Sequence, residues 1–212
     1  MSTVEVTDLT GPEIIRYAAG ATRNDHGTPA LVDRETMYRS EHSPIRARTW
    51  WIRLQGVPAY VSVHLVRHKH GVEHYVRTSR EDIQGIDPRE VNRLTPVSHT
   101  MVANDQALIA MSRKRLCWAA DQRTVAAWRR VRGEIERHDP DLARWMVPEC
   151  CYRGGWCPEP RECSVGVDQV VAIYGLPGRG IGPSATKGWR LRLRRAATRL
   201  WRRVYQFTEG SK

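Results

Sequence analysis

Arg67, His68 and Lys69 stand together in the stretch VRHKHGVEHYVRTSRED, directly after the apolar run Val57 to Val66. His64, His70 and His74 surround them, and Arg77 and Arg80 follow. So much positive charge beside a buried run suits three roles: binding a phosphate-bearing ligand, binding nucleic acid, or forming a solvated loop. Arginine offers a planar fork of donors that matches phosphate oxygens, and lysine a compact charge. A second candidate is Arg115. Asn104, Leu108, Met111 and Arg115 recur at i, i+4, i+7 and i+11, one face of a helix. That stripe sets an amide and a guanidinium among apolar side chains. An arginine there either finds a salt-bridge partner or snorkels to water, because burial without one is costly. The functional alternative is that it faces an anionic or carbonyl-rich ligand in a cleft.

These residues need elements to position them. A short helical pattern runs from Gly11 to Ala19, and Ser43-Pro44 marks a helix start with proline in the first turn. Trp50 to Leu54 and Ala59 to Val66 read as two strands, broken by the turn Gln55-Gly56-Val57-Pro58. His64 then shares a strand face with Ser62 and Val66, and Arg67-His68-Lys69 ends the second strand, a common ligand position in sheets. The polar segment from Thr78 to His99 reads as a loop with room for one helical turn. A helix is expected from Met101 to Ala120. A second starts at the N-cap Asp121, carries Val125, Trp128, Val131 and Ile135 as its stripe, and ends before His138-Asp139-Pro140.

The 212 residues suit one domain with a short appendage, and the 41% apolar content suffices for a core. The net charge of +11 favours anionic partners: nucleotides, nucleic acid or a lipid surface. No apolar run is long enough to cross a bilayer, and the opening MSTVEVTDLTGPEII lacks the pattern of a secretory signal, so a cytoplasmic protein is expected. Cys117 falls at a core-like position of the predicted helix. Cys150, Cys151, Cys157 and Cys163 cluster in a Gly/Pro-rich loop with spacing C-C-x5-C-x5-C, a weak zinc pattern because it has no C-x2-C pair. The default is a loop of reduced, partly packed thiols, with no metal assigned. After the linker Pro177 to Ala185, GWRLRLRRAATRLWRRVYQF predicts a basic amphipathic helix with seven arginines, suited to packing, nucleic acid or an anionic membrane.

Taken in order, the motifs resemble the flavin-dependent thymidylate synthases over roughly residues 40 to 163. Arg67-His68-Lys69 followed by Thr78-Ser79-Arg80 is similar to that family's Arg-His-Arg strand end and its Ser/Arg loop, with Glu73 a candidate for part of the intervening Asn-Glu pair. WIRLQGVPAYVSVHLVRHK looks like the family's preceding run, SEHSPIR like its Ser/Thr-Pro, and NDQALIAMSRKRLC like its Asn…Arg helix. The cysteine-rich tail looks like the ending of some members. Lys69 stands where the family has arginine, Gln106 where it has a flavin-contacting arginine, and Ala110 where it has asparagine.

The resemblance implies an α+β fold, a twisted, mostly antiparallel sheet flanked by helices, over residues 1–175, with 176–212 as linker and tail. It implies FAD-dependent methylation of dUMP to dTMP, or of a close pyrimidine nucleotide, by a homotetramer that takes methylenetetrahydrofolate as donor and NADPH as reductant. Arg115 becomes the catalytic residue, stabilising negative charge on the pyrimidine. Ser43, Arg67, His68, Lys69, Asn104 and Gln106 become the cofactor side. His64, Arg67, Thr78, Ser79, Arg80, Arg93 and Arg115 become the substrate side. The alternative is a divergent chain without flavin that binds nucleic acid through its basic surface and tail.

Overall fold

A computed structural model describes residues 2–23 and 28–177. The linker and basic helix expected beyond Pro177 lie outside the described residues. The architecture is α+β. Four strands, β1 (Thr3–Asp8), β2 (Thr49–Pro58), β3 (Val72–Val76) and β4 (Pro96–Asn104), form an antiparallel sheet in the order β1-β2-β4-β3. The sheet follows from period-two patterning. Trp50, Ile52 and Leu54 point to the core from β2 and pair with Ala103, Met101 and His99 of β4. Val4 and Val6 of β1 continue that face, opposite Leu54 and Ile52. The other face is open, and on it Trp51 stacks on Tyr75 with ring centres 6.2 Å apart.

Helices cover the apolar face. They are α1 (Glu13–Ala21), α2 (Arg34–Ser40), α3 (Ala59–Val66), α5 (Asp105–Arg115), α6 (Gln122–His138), α7 (Pro140–Trp145) and α9 (Val167–Tyr174), with the single turns α4 (Glu81–Gln84) and α8 (Glu149–Tyr152). Asp121 caps α6 by accepting from the Arg123 and Thr124 amides, as expected. Val125, Trp128, Val131 and Ile135 are all buried along its stripe, each such aliphatic side chain worth roughly 1.5–3 kcal/mol. The Trp128 indole N–H donates to Ser112 Oγ at 2.9 Å and ties α6 to α5. Among the described residues no helix is long and apolar enough to cross a membrane.

Three local expectations are corrected. Ala59 to Val66 is a helix, not a strand: its buried positions are Val61, Ser62 and Leu65, a helical face, while Val63 is exposed. β-branched residues there mimic a strand, but Pro58, the last residue of β2, sets the turn into α3. Met101 to Ala103 is the end of β4 rather than the start of a helix, and α5 begins at Asp105 with Asn104 as N-cap. Ser43-Pro44 opens only a short 3-10 helix, Ser43–Ala47. Two further strands, β1 and β3, form where none is expected, and β4 begins at Pro96, inside the stretch expected to be a loop.

Near the sheet's β1–β2 side, buried charge is fully partnered. Arg48, 1% exposed, pairs with Asp8 at 2.7 Å and with Asp139, and Arg34 also holds Asp139 at 2.6 Å. Asp105 accepts from Trp50 Nε1 at 2.6 Å and from the Tyr38 hydroxyl at 2.8 Å. Burial drives the Asp105 carboxyl up to about 7, against the pull of Arg48.

Candidate functional site

α3 ends at Leu65 and Val66, and the chain reverses through Arg67 to Gly71 before entering β3. Two contacts fix that reversal on α5. At one end Asn104 N–H donates to Gly71 O at 2.9 Å. Gly71 has φ +70°, and a Cβ placed there would meet the Asn104 amide nitrogen at 2.5 Å; only glycine fits. At the other end Arg115 Nε donates to His68 Nε2 at 2.8 Å. The eleven residues of α5 make a helix about 16 Å long, so residues 68 to 71 run beside it from its last turn to its cap.

Around Arg115 several cations converge. Burial lowers the His64 imidazole below its ordinary value, and the positive charges of Arg115, Arg67 and Arg93 lower it further, with Asp121 opposing. His64 Nδ1 lies 2.8 Å from Thr124 Oγ1 of α6. Tyr60 presents its ring edge-on to His64 and gives its hydroxyl proton to Asp121 at 3.2 Å, while the Arg93 guanidinium sits 5.1 Å over the same ring. Burial and then Arg67 lower Arg115, yet an arginine side chain keeps its charge at neutral pH. Burial, with Arg115 and His74 adding to it, drives His68 down to about 4. His68 is therefore neutral at pH 7 and accepts from Arg115. Among the described residues no carboxylate lies within ion-pair distance of Arg67, Arg93 or Arg115. The group is a set of unneutralised guanidiniums around neutral imidazoles, and it suits an anion.

A row of polar side chains backs His68. Ser62 Oγ lies 2.7 Å from His99 Nδ1, His99 Nε2 lies 3.0 Å from His74 Nδ1, and His74 Nε2 lies 2.8 Å from the His68 carbonyl oxygen. A carbonyl only accepts, so His74 carries its proton on Nε2. With both rings neutral, His99 Nε2–H donates to His74 and Ser62 O–H donates to His99. His99 is fully buried, and burial together with His74 pushes it down to about 4.

The fold resembles that of a UMP/dUMP methylase. The solved structure is the UMP/dUMP methylase PolB from Streptomyces cacaoi bound with 5-Br dUMP, with a TM-score of 0.53 and 12% sequence identity over 68% of this chain and 94% of that one. At that identity the likeness is one of fold. No protein-family model and no curated protein matches the sequence.

Of the residues singled out from sequence, His64, Arg67, His68, Arg93 and Arg115 come together. Lys69 is the exposed neighbour of His68. Asn104 lies at the opposite end of α5 from Arg115, and its Oδ1 caps the helix by accepting from Ala107 N at 2.9 Å. Gln106 sits in a separate knot, its amide donating to Glu41 at 3.1 Å and its oxygen accepting from Arg46. Glu41 also pairs with Arg113 and takes the Tyr152 hydroxyl proton at 2.5 Å. Ser43 is exposed on the 3-10 helix that carries Arg46. Thr78, Ser79 and Arg80 are exposed beyond β3, and Arg80 is spent on Asp82, two residues on, at 2.6 and 3.0 Å. Among the described residues no hydrogen bond or ion pair joins them to Arg115. An open cleft of about 390 Å³ bounded by Glu13, Arg16 and Arg34 includes none of the predicted residues.

His74, His99, Tyr60 and Thr124 were missed from sequence. The signal for His99 was present: Val97, His99, Met101 and Ala103 alternate, which points His99 inward.

Proposed function

We propose that this chain is a methyltransferase-like enzyme acting on dUMP or a close pyrimidine nucleotide. The observation that carries the reading is the convergence of Arg67 and Arg115, without carboxylate partners, on the turn that His68 and Gly71 hold against α5, with Arg93 over Tyr60 near His64. The fold likeness to a dUMP methylase supports it. A nucleotide monophosphate supplies the missing anion, and Arg67 and Arg93 are its exposed receptors. Arg115 is half-buried and has only Nε committed, to His68. Its two terminal nitrogens remain to donate to pyrimidine oxygens. As negative charge grows on the ring with loss of its N3 proton, a preorganised cation in a partly dry site stabilises it. His68, held neutral, orients Arg115 and adds no second charge beside it.

The reading extends to a flavin. Exposed Arg67 and Lys69, with no carboxylate near, fit the pyrophosphate of FAD, whereas Asn104 and Gln106 have their amides committed within the protein. When bound, FAD supplies the redox chemistry that completes a methyl group, with methylenetetrahydrofolate as carbon donor and NADPH as reductant. Assembly as a homotetramer and use of residues 1–175 as the catalytic unit belong to the same proposal. Titrating the purified chain with dUMP by calorimetry, then assaying dUMP-dependent release of tritium from C5, tests it. Absence of dUMP binding defeats it, and steeply salt-dependent DNA binding without turnover points to the nucleic-acid alternative.

A further inference from the structure

The ring of His64 is held from behind by a relay that starts at the cap of α6. His64 Nδ1 lies 2.8 Å from Thr124 Oγ1, and Thr124 Oγ1 lies 3.2 Å from Asp121 Oδ1. Asp121 also takes the Arg123 and Thr124 amides and the Tyr60 hydroxyl. Burial opposes its ionisation, but these bonds hold its carboxyl below the ordinary value, so at pH 7 it is a carboxylate and only accepts. The two oxygens at 3.2 Å therefore need a proton between them, and the Thr124 hydroxyl supplies it. That hydroxyl has one proton to give. Thr124 Oγ1 is left as an acceptor, and the contact to His64 is filled by a proton on Nδ1.

Burial and the surrounding arginines keep the His64 ring neutral at pH 7. A neutral imidazole carries one proton, so Nε2 presents a bare lone pair. Among the described residues no hydrogen bond engages that nitrogen. Its place is fixed. His64 and Arg67 stand three residues apart at the end of α3, neighbours along one helix side. Arg115 bonds the next residue, His68, at 2.8 Å. Thr124 is buried, and the edge of the Tyr60 ring lies against His64 with centres 5.5 Å apart, so the imidazole plane is set from two sides. A single acceptor thus stands among guanidiniums that only donate.

That pattern has a counterpart. The pairing edge of uracil offers an acceptor, a donor and an acceptor: O2, N3–H and O4. Cytosine offers two acceptors, O2 and N3, and then an amino donor. We propose that His64 selects uracil over cytosine nucleotides, its Nε2 accepting from the ring N3–H while Arg115 donates to a flanking oxygen. Asp121 and Thr124 are positioning residues that fix the tautomer. The inference rests on the nucleotide reading of the site. Cytosine sets its N3 lone pair against the Nε2 lone pair, and both stay unpaired. A site built to hydrogen-bond one pattern rejects the other, because its own polar groups lose their partner. The opposite tautomer, with Nε2–H, reverses the preference.

Two measurements test this, and one needs no ligand. Heteronuclear NMR of the histidine ring nitrogens in the full chain is expected to show His64 protonated on Nδ1 and bare on Nε2. Thr124→Val removes the hydroxyl and returns the ring to the Nε2–H form that free imidazole favours, while Thr124→Ser keeps the parent form. Calorimetry then compares dUMP with dCMP. The parent is expected to bind dUMP at least about 100-fold more tightly. His64→Phe keeps a flat ring without the lone pair, weakens dUMP about 10-fold and leaves dCMP unchanged; Thr124→Val narrows the same ratio. A parent ring with no proton on Nδ1, or one whose tautomer is unmoved in Thr124→Val, overturns the inference. Equal binding of dUMP and dCMP overturns it while the nucleotide reading stands, and binding of neither nucleotide defeats both.

Discussion

Replacing Gly71 by alanine strikes the contact that seats the Arg67–Gly71 reversal on α5. Two costs add. A residue with a Cβ at φ +70° loses roughly 1–2 kcal/mol. The new methyl carbon would also lie 2.5 Å from Asn104 Nδ2 and 2.9 Å from Asn104 Cγ, so Asn104 must turn away and release its bond to the Ala107 amide. Loss of an N-cap costs about 1 kcal/mol. The total is about 2–3 kcal/mol, which urea unfolding at pH 7 reads as a fall of about 1 M in the midpoint for a domain whose slope is near 2–3 kcal/mol per molar. A second substitution separates the two parts. Serine caps as well as asparagine but is shorter, so Gly71→Ala with Asn104→Ser recovers about 1 kcal/mol of the loss, while Asn104→Ser alone is nearly neutral. A Gly71→Ala chain within about 0.5 kcal/mol of the parent, or a double variant that shows no recovery, refutes the packing argued for the turn.

Other outcomes follow from the same contacts. Arg115→Ala abolishes dUMP turnover and weakens dUMP binding roughly 10- to 100-fold, the cost of one or two charge-assisted hydrogen bonds, and lowers stability by only about 1 kcal/mol through the lost bond to His68; calorimetry, the tritium assay and urea unfolding read it. His68 and His99, both held near 4 in the fold against about 6.5 unfolded, bind fewer protons folded than unfolded in that window, so stability falls as pH drops from about 6.5 to 4. Asp105, raised to about 7, binds more protons folded than unfolded between its ordinary value and 7 and acts the other way. Each contributes a slope of about 1.4 kcal/mol per pH unit at most, so the net slope is about one histidine's worth, and His99→Gln flattens it in urea titrations run from pH 4 to 7. Asp105→Asn removes a carboxylate whose ionisation opposes the fold, so its stability relative to the parent improves as pH rises from about 4 to 7 and levels off above that, as thermal melts at pH 5, 7 and 8 show.

Much of the site was legible because charge and spacing survive errors in secondary structure. Arg67, His68, Arg93 and Arg115 converge although the element before the first was read as a strand. A helix and a strand both deliver their last residues to the same end of the chain segment. Asn104 and Gln106 were not legible. Their roles depend on where α5 begins, and Met101 to Ala103 fits a helix by composition while β2 and β3 claim it on either side. Tertiary pairing overrides local preference there. β1 is visible in the alternation of Val4 and Val6, but a six-residue strand at a chain's start has little else to mark it. Cys117 was misplaced for a related reason: α5 ends at Arg115, so the half-buried Cys117 falls beyond the helix whose spacing assigned it to the core.

The row from Ser62 to the His68 carbonyl has a direction. Every donor in it points the same way, from the Ser62 hydroxyl through His99 and His74 to that oxygen. The row leaves α3, crosses β4 and β3, and comes back to the turn that α3 runs into, so two neighbouring strands of the sheet fasten both ends of one stretch of chain.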